Sequence, residues 1–300
     1  MTGEPSSVSL GRRDLLKMAA AAAGAAALPA AGRGEAAGSP PAGLIDVNIY
    51  LSRWPLRRLP ADEPAELVSL LRRHGVVQAW AGSFDGLLHR DIAGVNARLA
   101  DDCRRYGDGL LVPFGSVNPK LPDWETDLRR CVEEHGMPGI RLHPNYHGYQ
   151  LDDPDCARLL RLAAELGLLV QLALIMEDER MMHPLLRVEP SDPGPLRGLF
   201  QKTPRLRVVL LNSQRVLRGQ ALADLLAAGE FYADMAMLEG VGGLRNLLAK
   251  VPLNRVLFGS YAPMFYFESA VFKLQESPLS DEQLRAVRGG NARRLLAQRG

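Results

Sequence analysis

The sequence has few cysteines, no long hydrophobic run and no dominant sign of charge, and each shortage removes a class of protein. Cys103, Cys131 and Cys156 are odd in number and show no Cys-x-x-Cys spacing, so neither a disulfide scaffold nor a thiolate metal site is expected. Each falls in a helical pattern, which predicts buried free thiols. The longest apolar run, Met18–Leu28, has eleven residues, against the roughly 20 that a helix needs to cross a bilayer. No transmembrane segment is expected. Lys and Arg number 36 against 34 Asp and Glu, a formal net charge of +2, which leaves no electrostatic footprint for nucleic acid or anionic lipid. The doublets Arg72-Arg73, Arg104-Arg105 and Arg129-Arg130 sit in helical patterns and read as solvated faces. Also missing are a Gly-x-Gly-x-x-Gly, a phosphate loop, a Gly-x-Ser-x-Gly elbow and a His-Glu-x-x-His, the motifs that announce several common enzyme classes.

What is present begins with GRRDLLKMAAAAAGAAALPAAG, in which Arg12-Arg13 precede an alanine-rich, weakly apolar stretch and small residues suited to cleavage. This resembles a bacterial twin-arginine signal, with cleavage expected between Ala30 and Ala37. Residues 1–37 are expected to be signal and linker, and 38–300 the folded domain. Residues 1–37 carry four basic and three acidic groups, so the remainder stays close to neutral. The resemblance implies export to the periplasm or another extracytoplasmic space. Unpaired cysteines fit that route, which carries proteins already folded.

From residue 44 onward, short apolar runs alternate with segments of helical period. The predicted strands are 44–50, 78–83, 110–117, 139–143, 169–174, 207–212, 231–235 and 256–260. Segments such as IAGVNARLADDCRRYG and DPDCARLLRLAAELG lie between them. Gly75, Gly107, Gly136 and Gly167 are placed to end helices in the left-handed conformation. Asp152-Asp153 before Pro154 reads as a helix start. Eight strand–helix units in about 255 residues fit a (β/α)8 TIM barrel; the alternative is an open doubly wound sheet. In such barrels the chemistry lies at the carboxyl ends of the strands.

Three stretches resemble the amidohydrolase-related family, the decarboxylase-like branch of the metal-dependent hydrolase superfamily: IDVN at the start, GIRLHPNYHGYQLDDPDCARLLRLAAELGLLVQL in the middle, and VLFGSYAPMFYFESAVFKLQESPLSDEQLRAVRGGNARRLL at the end. The resemblance spans about residues 44–297 and is weakest over 175–230. It implies a barrel holding a divalent ion, yet the positions that would bind the ion differ. Where the family has His-x-His on strand one, this chain has Asn48-Ile49-Tyr50. Strand five offers Ala173, strand six ends in Asn212, and the strand-eight aspartate is Tyr261. Those side chains cannot supply the three or four imidazole, carboxylate or thiolate ligands that zinc or manganese needs. The expectation is therefore no metal and no cofactor, with Asn48, Tyr50, Asn212 and Tyr261 as a neutral hydrogen-bonding floor.

For chemistry without a metal, His143 is the leading proton carrier, with His183 and Asp178 as further catalytic candidates. Arg141, Asn145, His147 and Arg180 are candidates for holding a substrate carboxylate. Asp85, Asp234 and Glu239 follow. His74 and His135, each before a helix-ending glycine, read as helix caps. The leading expectation is a metal-independent hydrolase or lyase acting on a small carboxylated or cyclic compound. The other is a catalytically silent barrel that binds a ligand or partner outside the cytoplasm. A small molecule is the partner indicated; the oligomeric state is not.

Overall fold

The computed structural model describes residues 43–298, so the expected signal at 1–37 lies outside the described residues. Eight parallel strands run in sequence order: β1 (Leu44–Leu51), β2 (Val76–Ser83), β3 (Leu111–Ser116), β4 (Gly139–Leu142), β5 (Leu169–Ala173), β6 (Arg207–Leu211), β7 (Phe231–Asp234) and β8 (Val256–Leu257). The ring closes between β1 and the residues just past β8. Val47 N–H donates to the Phe258 carbonyl at 3.0 Å, Tyr261 N–H to Asn48 at 2.8 Å and Tyr50 N–H to Ala262 at 2.9 Å. This is a (β/α)8 barrel, and the open doubly wound sheet is set aside. β8 is shorter than predicted because residues 258–262 make their bonds to β1 in an irregular path rather than as a regular ladder.

β1 is buried along its whole length, as expected where parallel strands are covered on both faces. Its register with β2 shifts between Asp46 and Ile49, a bulge that re-aims side chains at the strand's carboxyl end. Two apolar clusters result. Leu44, Ile49 and Leu51 face outward with Leu67 and Leu71 of the first helix, while Ile45, Val47 and Tyr50 join Trp80, Phe114 and Leu211 in the interior.

Helix boundaries follow local chemistry. Asp91 caps Ile92–Gly107 by accepting the Gly94 N–H at 2.9 Å, and Asp153 caps Pro154–Glu165 by accepting the Asp155 N–H at 3.0 Å. Gly75, Gly136 and Gly167 take positive φ as expected, but Gly107 does not. There the left-handed residue is Asp108, because a Cβ at Gly107 would meet the Leu111 side chain at 2.9 Å and the position serves close packing instead. The three cysteines are buried and free, and the arginine doublets are exposed. His74 ends its helix, with Nε2 3.0 Å from Glu268 and its ring stacked on Phe267. No helix among the described residues is long and apolar enough to cross a membrane.

Candidate functional site at the barrel mouth

Asn48, Tyr50, His143, Asn212 and Tyr261 converge at the carboxyl ends of the strands, and all five have no accessible surface. On one side of the axis, Asn48 Nδ2 donates to Asn212 Oδ1 at 2.9 Å and to Asp234 Oδ2 at 2.6 Å. Asn212 donates its own Nδ2 to the Ile175 carbonyl and its backbone N–H to Asp234 Oδ1, both at 2.9 Å. Its φ is +57°, a left-handed conformation that asparagine tolerates. Tyr261 has φ +63°, which is costly for an aromatic residue. Its backbone bond to Asn48 and its hydroxyl bond to the Met176 carbonyl, 2.6 Å, hold it there.

On the other side, Tyr50 Oη lies 3.0 Å from His143 Nε2. Burial pushes the Tyr50 phenol up to about 12 and holds His143 well below the ordinary imidazole value, with His147 and Arg141 adding to the His143 effect. The hydroxyl therefore donates to a neutral ring. Met176 closes the centre from above, its sulfur 3.6 Å from Tyr50 Oη and 3.5 Å from Tyr261 Oη. The next residue, Glu177, is buried and paired with Arg57 of the loop after β1.

Beneath this layer lies a group that sequence reasoning placed differently. Arg141, expected to reach a substrate carboxylate, is fully buried with its donors taken. Nε bonds Gln171 Oε1 at 2.8 Å, Nη1 the Ile49 carbonyl at 2.6 Å, and Nη2 the Trp80 and Val47 carbonyls at 3.0 and 3.3 Å. Its guanidinium sits 4.4 Å from the Tyr50 ring centroid, a cation–π contact that orients the phenol. Arg141 is thus a brace inside the barrel, because a buried cation is tolerated only when its donors are satisfied.

Asp46 was missed, although it is the one charged residue in the buried run of β1. Its Oδ1 accepts the N–H groups of Asn48 and Ser260, each at 3.0 Å, while Oδ2 is buried without a partner. Burial pushes the carboxyl up to about 7, and the nearby Asp234, itself raised by burial to about 6, adds to that.

The remaining candidates stand away from the axis. His183 is exposed on the long loop after β5, where Nδ1 accepts the Leu185 N–H at 3.2 Å. Asp178 accepts from Arg180 at 2.8 and 2.7 Å and from Arg215 at 2.7 Å. Two guanidiniums hold its carboxyl far below the usual range, which is the wrong direction for a general base. Arg180 in turn spends its fork on Asp178 and is no free carboxylate anchor. Asn145 Nδ2 donates to the Glu189 carbonyl at 3.0 Å, and His147 Nε2 to the Gly86 carbonyl at 2.7 Å; both tie loops together. Asp85 pairs with Arg98, and Glu239 with Arg215.

These distances decide how a divalent ion would fare. At these positions the Asn48 amide turns its N–H groups to Asn212 and Asp234 while its Oδ1 is buried without a partner, and the Tyr50 and Tyr261 phenols are bonded to His143 and to the Met176 carbonyl. Among the described residues, no group of three or more His, Cys, Asp or Glu side chains is arranged to hold a metal. The donor set does not fit such an ion.

Beside the axis, a cleft of about 550 Å³ opens between the loop after β5 and the turn after β6. Ile175 forms its floor, and Asp178, Arg180 and Arg215 lie along one wall; Tyr50, His143 and Tyr261 do not line it.

Solved structures with this architecture include 2,6-dihydroxybenzoate decarboxylase from Rhizobium, at 15% identity over 86% of this chain and 99% of that one, TM-score 0.65. Another is 5-carboxyvanillate decarboxylase from Sphingomonas paucimobilis, at 14% identity over 85% and 99%, TM-score 0.65. A third is the dihydroxybenzoic acid decarboxylase from Polaromonas sp. JS666 with bound manganese and 2-nitroresorcinol, at 16% identity over 85% and 97%, TM-score 0.64. At such identities the likeness speaks for the fold alone. The sequence itself matches the family model described as Amidohydrolase over residues 45–298, and the chain belongs to the amidohydrolase family.

Proposed function

We propose that this protein is a metal-independent amidohydrolase-family barrel that binds a small carboxylated compound at its C-terminal face, serving as a binding protein outside the cytoplasm. One observation carries this reading. Asn48, Tyr50, Asn212 and Tyr261 are fully buried and each is hydrogen-bonded to another residue of the chain, which supports reading these positions as part of the core and not as an open reaction centre. A carboxylated ligand is favoured because the neighbours of similar fold include enzymes of carboxylated aromatic compounds. Export rests on the Arg12-Arg13 segment.

A second reading, a metal-independent hydrolase or lyase acting on a small carboxylated or cyclic compound, is supported by the Tyr50–His143 pair. Its 3.0 Å separation allows proton transfer, and His143 Nδ1 is buried without a partner.

The test joins three measurements on the full-length protein: elemental analysis, titration calorimetry with aromatic and aliphatic carboxylates, and turnover of the same panel with and without manganese or zinc. Binding without turnover, and metal well below one ion per chain, is the expected result. Metal-stimulated turnover would overturn the proposal. Turnover without metal that disappears in His143→Ala and Tyr50→Phe would establish the second reading.

A further inference from the structure

The cleft between the loop after β5 and the turn after β6 has the organisation of a built site. Its floor, Ile175, is held by Asn212, so one of the altered cage residues also shapes this pocket. One wall is fixed by Asp178, gripped by Arg180 and Arg215, with Arg215 braced in turn by Glu239 at 2.9 Å. The opposite wall is fixed where Asn145 bonds the Glu189 carbonyl and Ser191 N–H bonds the Leu174 carbonyl at 2.8 Å. Within this frame Arg187, Glu179 and Glu189 line the cleft, and none of the three side chains takes part in an ion pair among the described residues. Ile175, Val188 and Pro190 supply apolar surface between them.

A cleft of several hundred Å³ is within the usual size of a small-molecule site, and the C-terminal face is where barrels of this kind bind ligands; six of the eleven residues lining this one are charged. The charges here are of both signs. A ligand bearing only a carboxylate would satisfy Arg187 and leave two acids facing it, which costs like-charge repulsion. One bearing an ammonium as well would meet both.

We infer that this cleft binds a zwitterionic amino-carboxylate of amino-acid size, with Arg187 holding the carboxylate by its planar fork, Glu179 and Glu189 taking the ammonium, and the apolar surface receiving the side chain. The inference rests on the proposed binding function and names its ligand class.

The experiment is titration calorimetry of the full-length protein with four probes: phenylalanine, N-acetylphenylalanine, phenylalanine amide and 2,6-dihydroxybenzoate. Phenylalanine is expected to bind most tightly. Loss of one charge-assisted anchor should weaken it about 10- to 100-fold, both in Arg187→Gln and in the double variant Glu179→Gln/Glu189→Gln. All three positions are exposed, so the variants should keep the parent's circular dichroism and melting temperature. If N-acetylphenylalanine or the benzoate binds as tightly as phenylalanine and depends on Arg187, the zwitterion is wrong and the carboxylate-binding function stands. If carboxylates bind but neither variant changes their affinity, the cleft is wrong. Should no probe bind, both fail.

Discussion

Replacing Asp46 by asparagine tests whether the buried layer beneath the mouth is as dry and as acid-loaded as its geometry implies. Asp46→Asn keeps the oxygen that accepts from Asn48 and Ser260 and changes only the edge that has no partner. In the folded chain the carboxyl titrates at about 7 against an ordinary 3.8, because burial disfavours the charged form. The folded state therefore holds this proton more tightly than the unfolded state. Stability from this group is fully present below the unfolded value and is lost as pH rises through the folded one. At about 1.4 kcal/mol per pH unit, the interval corresponds to roughly 4 kcal/mol as a ceiling. Asp234, raised to about 6, acts with the same sign, and the two acids share their titration. His143 and His147 act oppositely. Held below their ordinary values by burial, they are protonated more readily when unfolded, so they lower stability as pH falls below about 6.5.

Between pH 5 and 8 the acids and the histidines thus act in opposite directions on the wild-type profile, and the difference between variant and wild type is the informative quantity. Urea unfolding followed by tryptophan fluorescence suits the measurement, since Trp54, Trp80 and Trp124 are all buried. Asp46→Asn should already be stabilising by about 1–2 kcal/mol at pH 5 and increasingly so toward pH 8, gaining about a further 2–3 kcal/mol over that range. A difference that does not change with pH would mean that Asp46 is already ionised at pH 5, and the account of a desolvated acid would be refuted.

Two further substitutions probe the closure. Gly259→Ala should destabilise by about 1–3 kcal/mol in the same assay, because its Cβ would lie 2.8 Å from Asp234 Oδ2 and 3.1 Å from Asn48 Cβ. Arg57→Ala leaves Glu177, whose side chain is 2% exposed, without its cation. With Arg57 itself partly solvated, the expected loss is about 1–2 kcal/mol, read by thermal unfolding, together with faster proteolysis in the loops after β1 and β5. For the export inference, Arg12→Lys/Arg13→Lys should retain the chain in the cytoplasm on cell fractionation; unchanged export would remove it.

The barrel was legible in the sequence because its signals are local. A fully apolar run such as VVLL, a capped helix at Asp153-Pro154 and a helix-stop at Gly167 each need only their neighbours to be read. Even so, Gly107 misled, since what fixes it is the side chain of Leu111. The axial positions Asn48, Tyr50, Asn212 and Tyr261 could be named by alignment to a motif, but what they do could not. Asn48 bonds residues 164 and 186 positions away, and no periodicity encodes such a partner. His183, Asp178 and Arg180, named as catalytic and carboxylate-binding candidates, are placed by local contacts for a related reason. Proximity in sequence placed them in one loop, and that same proximity let Arg180 satisfy Asp178 locally instead of reaching the axis. Met176 and Arg57 carry no signal at all before the loops are folded together.

The interlocking of these bonds has a consequence for reversing any single change at the mouth. Tyr261→Asp would restore the family's strand-eight carboxylate, yet it would do so beside Asp46 and Asp234, two acids that burial already drives toward protonation. It would also strand the Met176 carbonyl that the phenol now satisfies and empty the space between Tyr50 and Phe265, whose rings contact Tyr261 at 5.7 and 5.3 Å. Lost aromatic packing alone costs about 3–5 kcal/mol, and the third carboxyl must then be buried protonated or force the mouth open. The substitution is expected to lower stability by at least about 3 kcal/mol at pH 7. It should not create a bound ion by elemental analysis, because Asn48, Tyr50, Ala173 and Asn212 still supply no ligand of the required kind. A Tyr261→Asp protein that kept its stability and acquired one metal per chain would show that the cage was only one residue from function, and that the neutral network is not what holds the mouth closed.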